Sequence, residues 1–224
     1  MWVYHVVALV TALVWSTTFV STKMLLNAGL SPEAIFIYRF LIAYVGILVV
    51  SHDQWRARSW KDEGLLLLAG ITGGSLYFYT ENTALRFTYT SNVSILISTT
   101  PLITMFLAAI VYRQPFRRTM FLGSLLALAG VSLVVLNGRG VEGVSPLGDF
   151  LTMVAAVCWS VYSIAVTALG KRNYPSLFIT RKIFFYGLLT MCMFFPFSGC
   201  SMRFELLKDP VVVGNILFLG VIAS

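Results

Sequence analysis

Long apolar blocks, interrupted only by short charged or turn-forming clusters, restrict this chain more than any other feature. Stretches such as Pro32–Val50 and Ser91–Tyr112 run for a full block with scarcely a charge. Their apolar residues are not interleaved with polar ones at a period of 2 or 3.6, as a half-buried strand or a surface helix would require. Blocks of about 18 or more such residues are long enough to cross a bilayer. The composition agrees: 58% of residues are hydrophobic and 11% charged, whereas soluble domains carry roughly 25% charged residues. Mean hydropathy is +0.85. Backbone groups in hydrocarbon are satisfied only within helices or a closed barrel, so the chain reads as an all-α polytopic membrane protein.

Charged and loop-forming clusters divide it into eight apolar segments: His5–Leu26, Pro32–Val50, Glu63–Leu85, Ser91–Tyr112, Thr119–Asn137, Leu147–Leu169, Pro175–Phe197 and Val211–Ser224. The first seven approach the roughly 20 residues that a span needs. Lys and Arg orient them. Loops after even-numbered spans hold Arg56, Arg58, Lys61, Arg113, Arg117, Arg118, Lys171 and Arg172. The other side holds Lys23, Arg86, Arg139, Arg203 and Lys208. The richer side is cytoplasmic, and the N-terminus lies with it. This bias accounts for the net charge of +7 with no nucleic-acid partner. The first block lacks the basic flank and small-residue cleavage site of a signal peptide. Cys158, Cys192 and Cys200 have no metal or redox spacing, and His5 and His52 stand alone, so neither a metal nor a cofactor is expected.

The two halves resemble each other. "VWSTTFVSTKMLLNAGLSPEAIFIYRF" from Val14 and "CWSVYSIAVTALGKRNYPSLFITRKIF" from Cys158 share Trp-Ser in a span, a polar break, a Pro, and an Arg early in the next span. Trp15 corresponds to Trp159, Pro32 to Pro175 and Arg39 to Arg181. If the sixth span repeats the first, each unit has five spans. Five is odd, so the second unit is threaded in the opposite sense. Such inverted repeats build many secondary transporters, with the substrate site between the halves. The expected units are residues 1–140 and an incomplete 141–224. Gly220 in "GVIAS" stands where Gly70 stands in "GITGG", so the chain reads as a ten-helix carrier truncated within helix 8.

"WSTTFVSTK", "SPEAIFIYRFLIA", "ENTALRFTYTSNVSILISTTPL" and "GSLLALAGVSLVV", followed by "GDFLTMVAAVCWSVYSI", resemble the two repeats of an EamA-type transporter of the drug/metabolite transporter superfamily. The resemblance covers essentially the whole chain. It departs from the pattern at Ser16, where Gly is more usual after the Trp, and in "RQPFRR", which lacks a frequent acidic residue. It implies a ten-helix carrier in the inner (plasma) membrane, with both termini cytoplasmic, moving small metabolites such as amino acids, some by export.

Candidate pathway residues follow from depth and polarity. Glu81, beside Asn82, lies about 6 Å inside the outer end of the third span, and Arg39 about 10 Å inside the second. Either they line or gate an outer vestibule, or Glu81 takes up a proton during the cycle; the structural alternatives are an interhelical salt bridge or a Glu81 at the headgroup boundary. Arg181 occupies the mirror position of Arg39, where it and Lys182 are expected to snorkel to the cytoplasmic interface. Lys23 is expected to do the same at the end of the first span. Asn92, Ser94, Ser98, Thr99 and Thr100 lead to Pro101 in mid-span. This is a broken, hydroxyl-rich helix of the kind a midplane site uses, although proline kinks also occur without ligands. Trp15 and Trp159 sit too deep for interfacial anchors and suit packing or a cavity wall, and "SLYFYT" (75–80) is a second candidate wall. Gly70, Gly73 and Gly74, and separately Gly123, Ala127 and Gly130, form small-residue faces for helix packing or homodimer contact.

A solute carrier is therefore the leading reading. No GxxxxGK[ST] motif supplies ATP coupling. The rivals are a non-transporting scaffold or truncated inactive carrier, and an intramembrane enzyme. The enzyme is disfavoured because the spans offer no nucleophile with a base.

Overall fold

A computed structural model describes residues 2–51, 54–113, 118–136, 145–199 and 201–224. His52, Arg117, Asn137, Arg139, Cys200 and the expected boundary at 140/141 lie outside them. Every regular element in the described residues is helical: α1 Trp2–Asn27, α2 Pro32–Val50, α3 Trp60–Gly70, α4 Leu76–Phe87, α5 Thr90–Ile97, α6 Thr100–Tyr112, α7 Arg118–Leu136, α8 Pro146–Lys171, α9 Ser176–Phe194 and α10 Pro210–Leu217. Five stretches are long and apolar enough to cross a membrane: His5–Asn27, Pro32–Val50, Thr90–Tyr112, Pro146–Lys171 and Ser176–Phe197. The protein is an all-helical, polytopic membrane protein.

Local chemistry fixes the helix starts. Ser31, Ser59, Ser145 and Asp209 accept bonds from the Ala34, Asp62, Gly148 and Val211 amides, which satisfies donors that a first turn leaves open. Pro32, Pro146 and Pro210 stand where the missing amide proton costs nothing. α1 ends in a Schellman turn, with Leu30 N bonded to Leu25 O at 3.1 Å and Gly29 N to Leu26 O at 3.0 Å. Gly29 takes a φ of 98° there, a conformation that favours glycine.

Two expected spans are interrupted. The third runs through α3 and α4 but widens into one π-turn at Ile71–Ser75. The fourth breaks into α5 and α6 around Ser98–Thr99, just ahead of Pro101. The last described helix also widens, at Phe218–Ile222.

The two largest apolar clusters each join helices from both ends of the chain. In the first, Leu25, Leu30, Ala34 and Ile35 of α1–α2 meet Val212, Ile216 and Leu219. In the second, Leu66 and Ala69 of α3 meet Leu169, Tyr174, Phe178 and Ile179 of α8–α9. Gly70 and Gly74 let α3 and its π-turn come close to α9. A Cβ on Gly70 would stand 2.5 Å from Tyr186 Cβ, and one on Gly74 would stand 3.2 Å from Gly187 Cα. The second small-residue face behaves differently: nothing described lies within 4 Å of a Cβ on Gly123 or Gly130.

Candidate functional site

Between these helices lies a cavity of about 860 Å³. Trp15 and Phe19 of α1, Arg39 and Phe40 of α2, Tyr77, Phe78 and Glu81 of α4, and Trp159 and Tyr162 of α8 form its wall. Ser98, Thr100, Pro101 and Thr104 contribute from the broken helix. Gly73, in the π-turn, also faces the cavity, and a Cβ there would collide with the Tyr162 ring. A local widening of the helix with a bare glycine thus admits an aromatic side chain from across the bundle. π-turns of this kind recur at functional sites.

The break at Pro101 is chemically closed. Proline supplies no amide proton, so the Ile97 carbonyl one turn back loses its helical donor. Thr100 Oγ1 donates to that carbonyl at 2.5 Å. Across the cavity wall, Thr104 Oγ1 donates to Ser160 Oγ at 3.0 Å, and Ser160 reaches Thr100 O at 3.4 Å and Ala156 O at 2.8 Å. The hydroxyl-rich run therefore satisfies its own backbone and ties α6 to α8.

Arg39 and Glu81 are the two charged residues on the wall, both buried. Their charges interact through space, without a nitrogen–oxygen contact within 4 Å; among the described residues the close ion pairs are Arg172–Asp62 and Lys182–Glu63. Arg39 instead donates from Nε to Ser224 Oγ at 2.7 Å and from Nη2 to Ala223 O at 3.0 Å. Its guanidinium lies 4.4 Å from the Phe78 ring centre. Glu81 Oε1 accepts from the Tyr77 hydroxyl one helical turn earlier, the spacing at which helical side chains meet.

Aromatic rings pack on one another along the same cavity wall. Trp159 lies 5.0 Å from both Tyr77 and Tyr162, and Trp15 meets Trp159 edge-on at 5.8 Å. Of the candidates read from sequence, Glu81, Arg39, Trp15, Ser98, Thr100, Pro101 and Trp159 line the cavity. Asn82, Asn92 and Arg181 sit elsewhere. Asn82 Nδ2 donates to Pro32 O at 3.4 Å, and Asn92 Nδ2 to Thr88 Oγ1 at 3.2 Å. Arg181 does not snorkel. It is 2% exposed, donates to Ser51 O at the C-terminal end of α2, and lies 4.4 Å from the Trp55 ring. A carbonyl left open at that helix end takes up the charge. Lys23 likewise donates to Leu85 O.

Sequence reasoning missed Tyr162 and Thr104, whose types are unremarkable within apolar spans. It also missed a polar clamp joining α3 to α8 and α9. Glu63 accepts from Lys182 at 2.5 Å, from the Ala57 amide at 3.1 Å and from the Tyr186 hydroxyl. Asp62 pairs with Arg172 and accepts from the Tyr174 hydroxyl at 2.8 Å. Arg58 stacks on Tyr174 and donates to Arg172 O at 3.0 Å. Within the described residues, no three His, Cys, Asp or Glu side chains come together as a metal site would need.

A multi-span helical bundle enclosing a cavity with buried charges is the architecture of a membrane transporter rather than of a soluble binding module. The profile of the EamA-like transporter family matches residues 2–136, more than half the chain, and the protein belongs to that family. It is 26% identical over 211 residues to the uncharacterized transporter YdfC of Bacillus subtilis, covering 94% of this chain and 67% of that one. An uncharacterized transporter of Archaeoglobus fulgidus is 28% identical over 232 residues, covering 98% and 75%. The uncharacterized inner membrane transporter YhbE of Escherichia coli is 26% identical over 199 residues, covering 84% and 60%. A crystal structure 16% identical in sequence superposes with a TM-score of 0.61 over 93% of this chain and 78% of its own, a likeness of fold.

Proposed function

We propose that this protein is a secondary transporter that carries a small organic solute through the cavity by alternating access, one unit rocking against an oppositely threaded copy. The units are residues 1–140 and 141–224. The membrane is the cell inner (plasma) membrane, in keeping with the name of the Escherichia coli relative, an inner membrane transporter, and the N-terminus is cytoplasmic. The observation that carries the reading is the placement of buried Glu81 on a cavity walled by residues of both units. Charges inside spans mark solute and ion pathways.

Three features support the opposed units. Adding 144 to Leu25, Leu30, Ala34 and Ile35 of the first cluster gives Leu169, Tyr174, Phe178 and Ile179 of the second, while adding 150 to Leu66 and Ala69 gives Ile216 and Leu219. Each cluster thus joins the first two helices of one unit to the third helix of the other. Gly29, at φ 98°, and Asn173, at φ 57°, adopt left-handed conformations at the same offset of 144. The repeat-related tryptophans, Trp15 and Trp159, touch, as equivalent residues beside a two-fold axis do.

Reconstitution into liposomes with a panel of labelled amino acids and amines tests the reading. The expected result is saturable flux of at least one solute that falls tenfold or more in Glu81→Gln while the protein stays folded. Undiminished flux in Glu81→Gln would overturn the assignment of the cavity.

A further inference from the structure

Asp62 and Glu63 open α3 where α8 turns into α9, and their partners come from that turn and from α9. Asp62 pairs with Arg172 and Glu63 with Lys182. The Tyr174 hydroxyl donates to Asp62 at 2.8 Å, and the Tyr186 hydroxyl donates to Glu63. Arg58, in the chain leading into α3, donates to Arg172 O at 3.0 Å and to Asn173 O at 3.2 Å. Carbonyls that the end of α8 leaves open are thus filled from across the bundle. Each of these contacts joins the two proposed units, beside the second apolar cluster with its fully buried Leu66, Leu169 and Phe178.

A corresponding seal lies at the other end of the bundle. α2 carries Ala34 and Ile35 of the first cluster at its start, and Arg39 and Phe40 of the cavity wall near its middle. At its end is the Ser51 carbonyl that Arg181 binds beside Phe178 of the second cluster. The two clusters therefore flank the cavity from opposite ends of a helix about 28 Å long. By the offsets of 144 and 150 that relate the clusters, Lys182 and Tyr186 correspond to Tyr38 and Ile42, Arg172 to Ala28, and Asp62 and Glu63 to Val212 and Val213. The loop arginine persists: Arg203 stands where Arg58 does, and its Nη1 would lie 3.1 Å from a Cβ on Gly29 at the end of α1. The acids and their partners do not persist. One seal is locked by charge and the other is apolar.

A contact made in one conformation and lost in another shifts the population toward the first, by as much as the contact is worth. Arg172 is exposed, and Lys182 and Glu63 are half-buried, so water can take up their charges when the helices part. Interfaces that repack salt bridges are a recurrent switching device. We infer that the clamp is a charge-locked gate: Asp62–Arg172 and Glu63–Lys182 part for the cavity to open at that end, and their attraction biases the empty carrier toward opening at the other. This deepens the transporter reading and rests on alternating access between the two ends.

Cysteine accessibility tests the inference. In a background with Cys158, Cys192 and Cys200 replaced, Ser98→Cys on the cavity wall is exposed to an impermeant maleimide in right-side-out and in inside-out vesicles. The clamp face is the one from which Lys171→Cys reacts. Combining Glu63→Gln with Lys182→Met speeds labelling from the clamp face about fivefold or more and slows it from the opposite face. The reversed pair, Glu63→Lys with Lys182→Glu, returns both rates to within about twofold. Glu205→Gln with Lys208→Met, which removes exposed charges at the other end, leaves both rates within about twofold, and thermal unfolding confirms that each variant folds. Rates that rise equally from both faces, that do not change, that the reversed pair fails to restore, or a Ser98→Cys that reacts from neither face would each overturn it. Liposome flux separates this from failure of the broader reading. Solute flux with unchanged access in the clamp variants sinks the gate and leaves the carrier standing. A one-sided shift in access with no flux of any solute upholds the gate and sinks the carrier.

Discussion

Replacing Gly70 with alanine puts a single carbon into the contact between α3 and α9. That carbon would stand 2.5 Å from Tyr186 Cβ, 3.2 Å from Gly187 N and 3.2 Å from Ile183 O. Ordinary contact begins near 3.4 Å, so the shortfall at Tyr186 is about 0.9 Å. None of the three atoms can turn away, because one is a Cβ and two are backbone. The helices must therefore separate, and overpacking of this kind costs about 1–3 kcal/mol. Alanine returns about 0.8–1 kcal/mol of helix propensity, which leaves a net loss of up to about 2 kcal/mol. At about 2–4 °C per kcal/mol for a chain of this size, Gly70→Ala lowers the melting temperature by several degrees. Gly220→Ala does the same, since its Cβ would meet Ile42 Cβ at 2.9 Å and Arg39 O at 3.1 Å. Gly123→Ala and Gly130→Ala meet nothing within 4 Å among the described residues, so they gain only the propensity and melt up to about 4 °C higher. Differential scanning fluorimetry in detergent reads all four variants. If all four move in the same direction, the reasoning from close approach is wrong.

Other perturbations have equally definite outcomes. Thr100→Val strips the donor from the Ile97 carbonyl and costs about 1–3 kcal/mol, whereas adding Pro101→Ala restores an amide donor. Thermal unfolding of the double variant is therefore expected to recover most of the loss, and a purely additive result contradicts the assignment of Thr100 as the proline's complement. Lys182→Met leaves the Glu63 carboxylate with neutral donors only, at a cost of about 1–3 kcal/mol. Glu63→Gln in that background removes the stranded charge, so the pair of changes unfolds at a higher temperature than Lys182→Met alone. A lower temperature would show that the charge on Glu63 is satisfied elsewhere.

Much of this fold was legible because lipid simplifies the problem. A span needs an unbroken apolar block, so its limits can be read directly, and α2 begins and ends where the sequence places it. The break at Pro101 was equally readable, since the missing donor is a property of the residue. The buried position of Glu81 followed from its place in an apolar run. What escaped were features set by residues far away in the chain. Arg181 looked free to snorkel, but its carbonyl partner at Ser51 is 130 residues distant. Gly123 and Gly130 looked like a packing face as good as Gly70 and Gly74, and sequence carries no sign of which face has a neighbour. Nothing in the sequence marks Asp62 and Glu63 as partners of Arg172 and Lys182, which lie 110 and 119 residues further along the chain. The π-turn at Ile71–Ser75 left only the pair Gly73–Gly74 as a trace.

The transporter reading rests on the proposed opposed threading of the two units, and cysteine labelling measures it most directly. Asn27 and Lys171 end the first helix of each unit at the offset that relates Trp15 to Trp159, and both are exposed. In a background with Cys158, Cys192 and Cys200 replaced, Asn27→Cys is predicted to react with a membrane-impermeant maleimide added outside intact cells. Lys171→Cys is predicted to react only after the membrane is opened. Labelling of both positions from the same side would contradict the account.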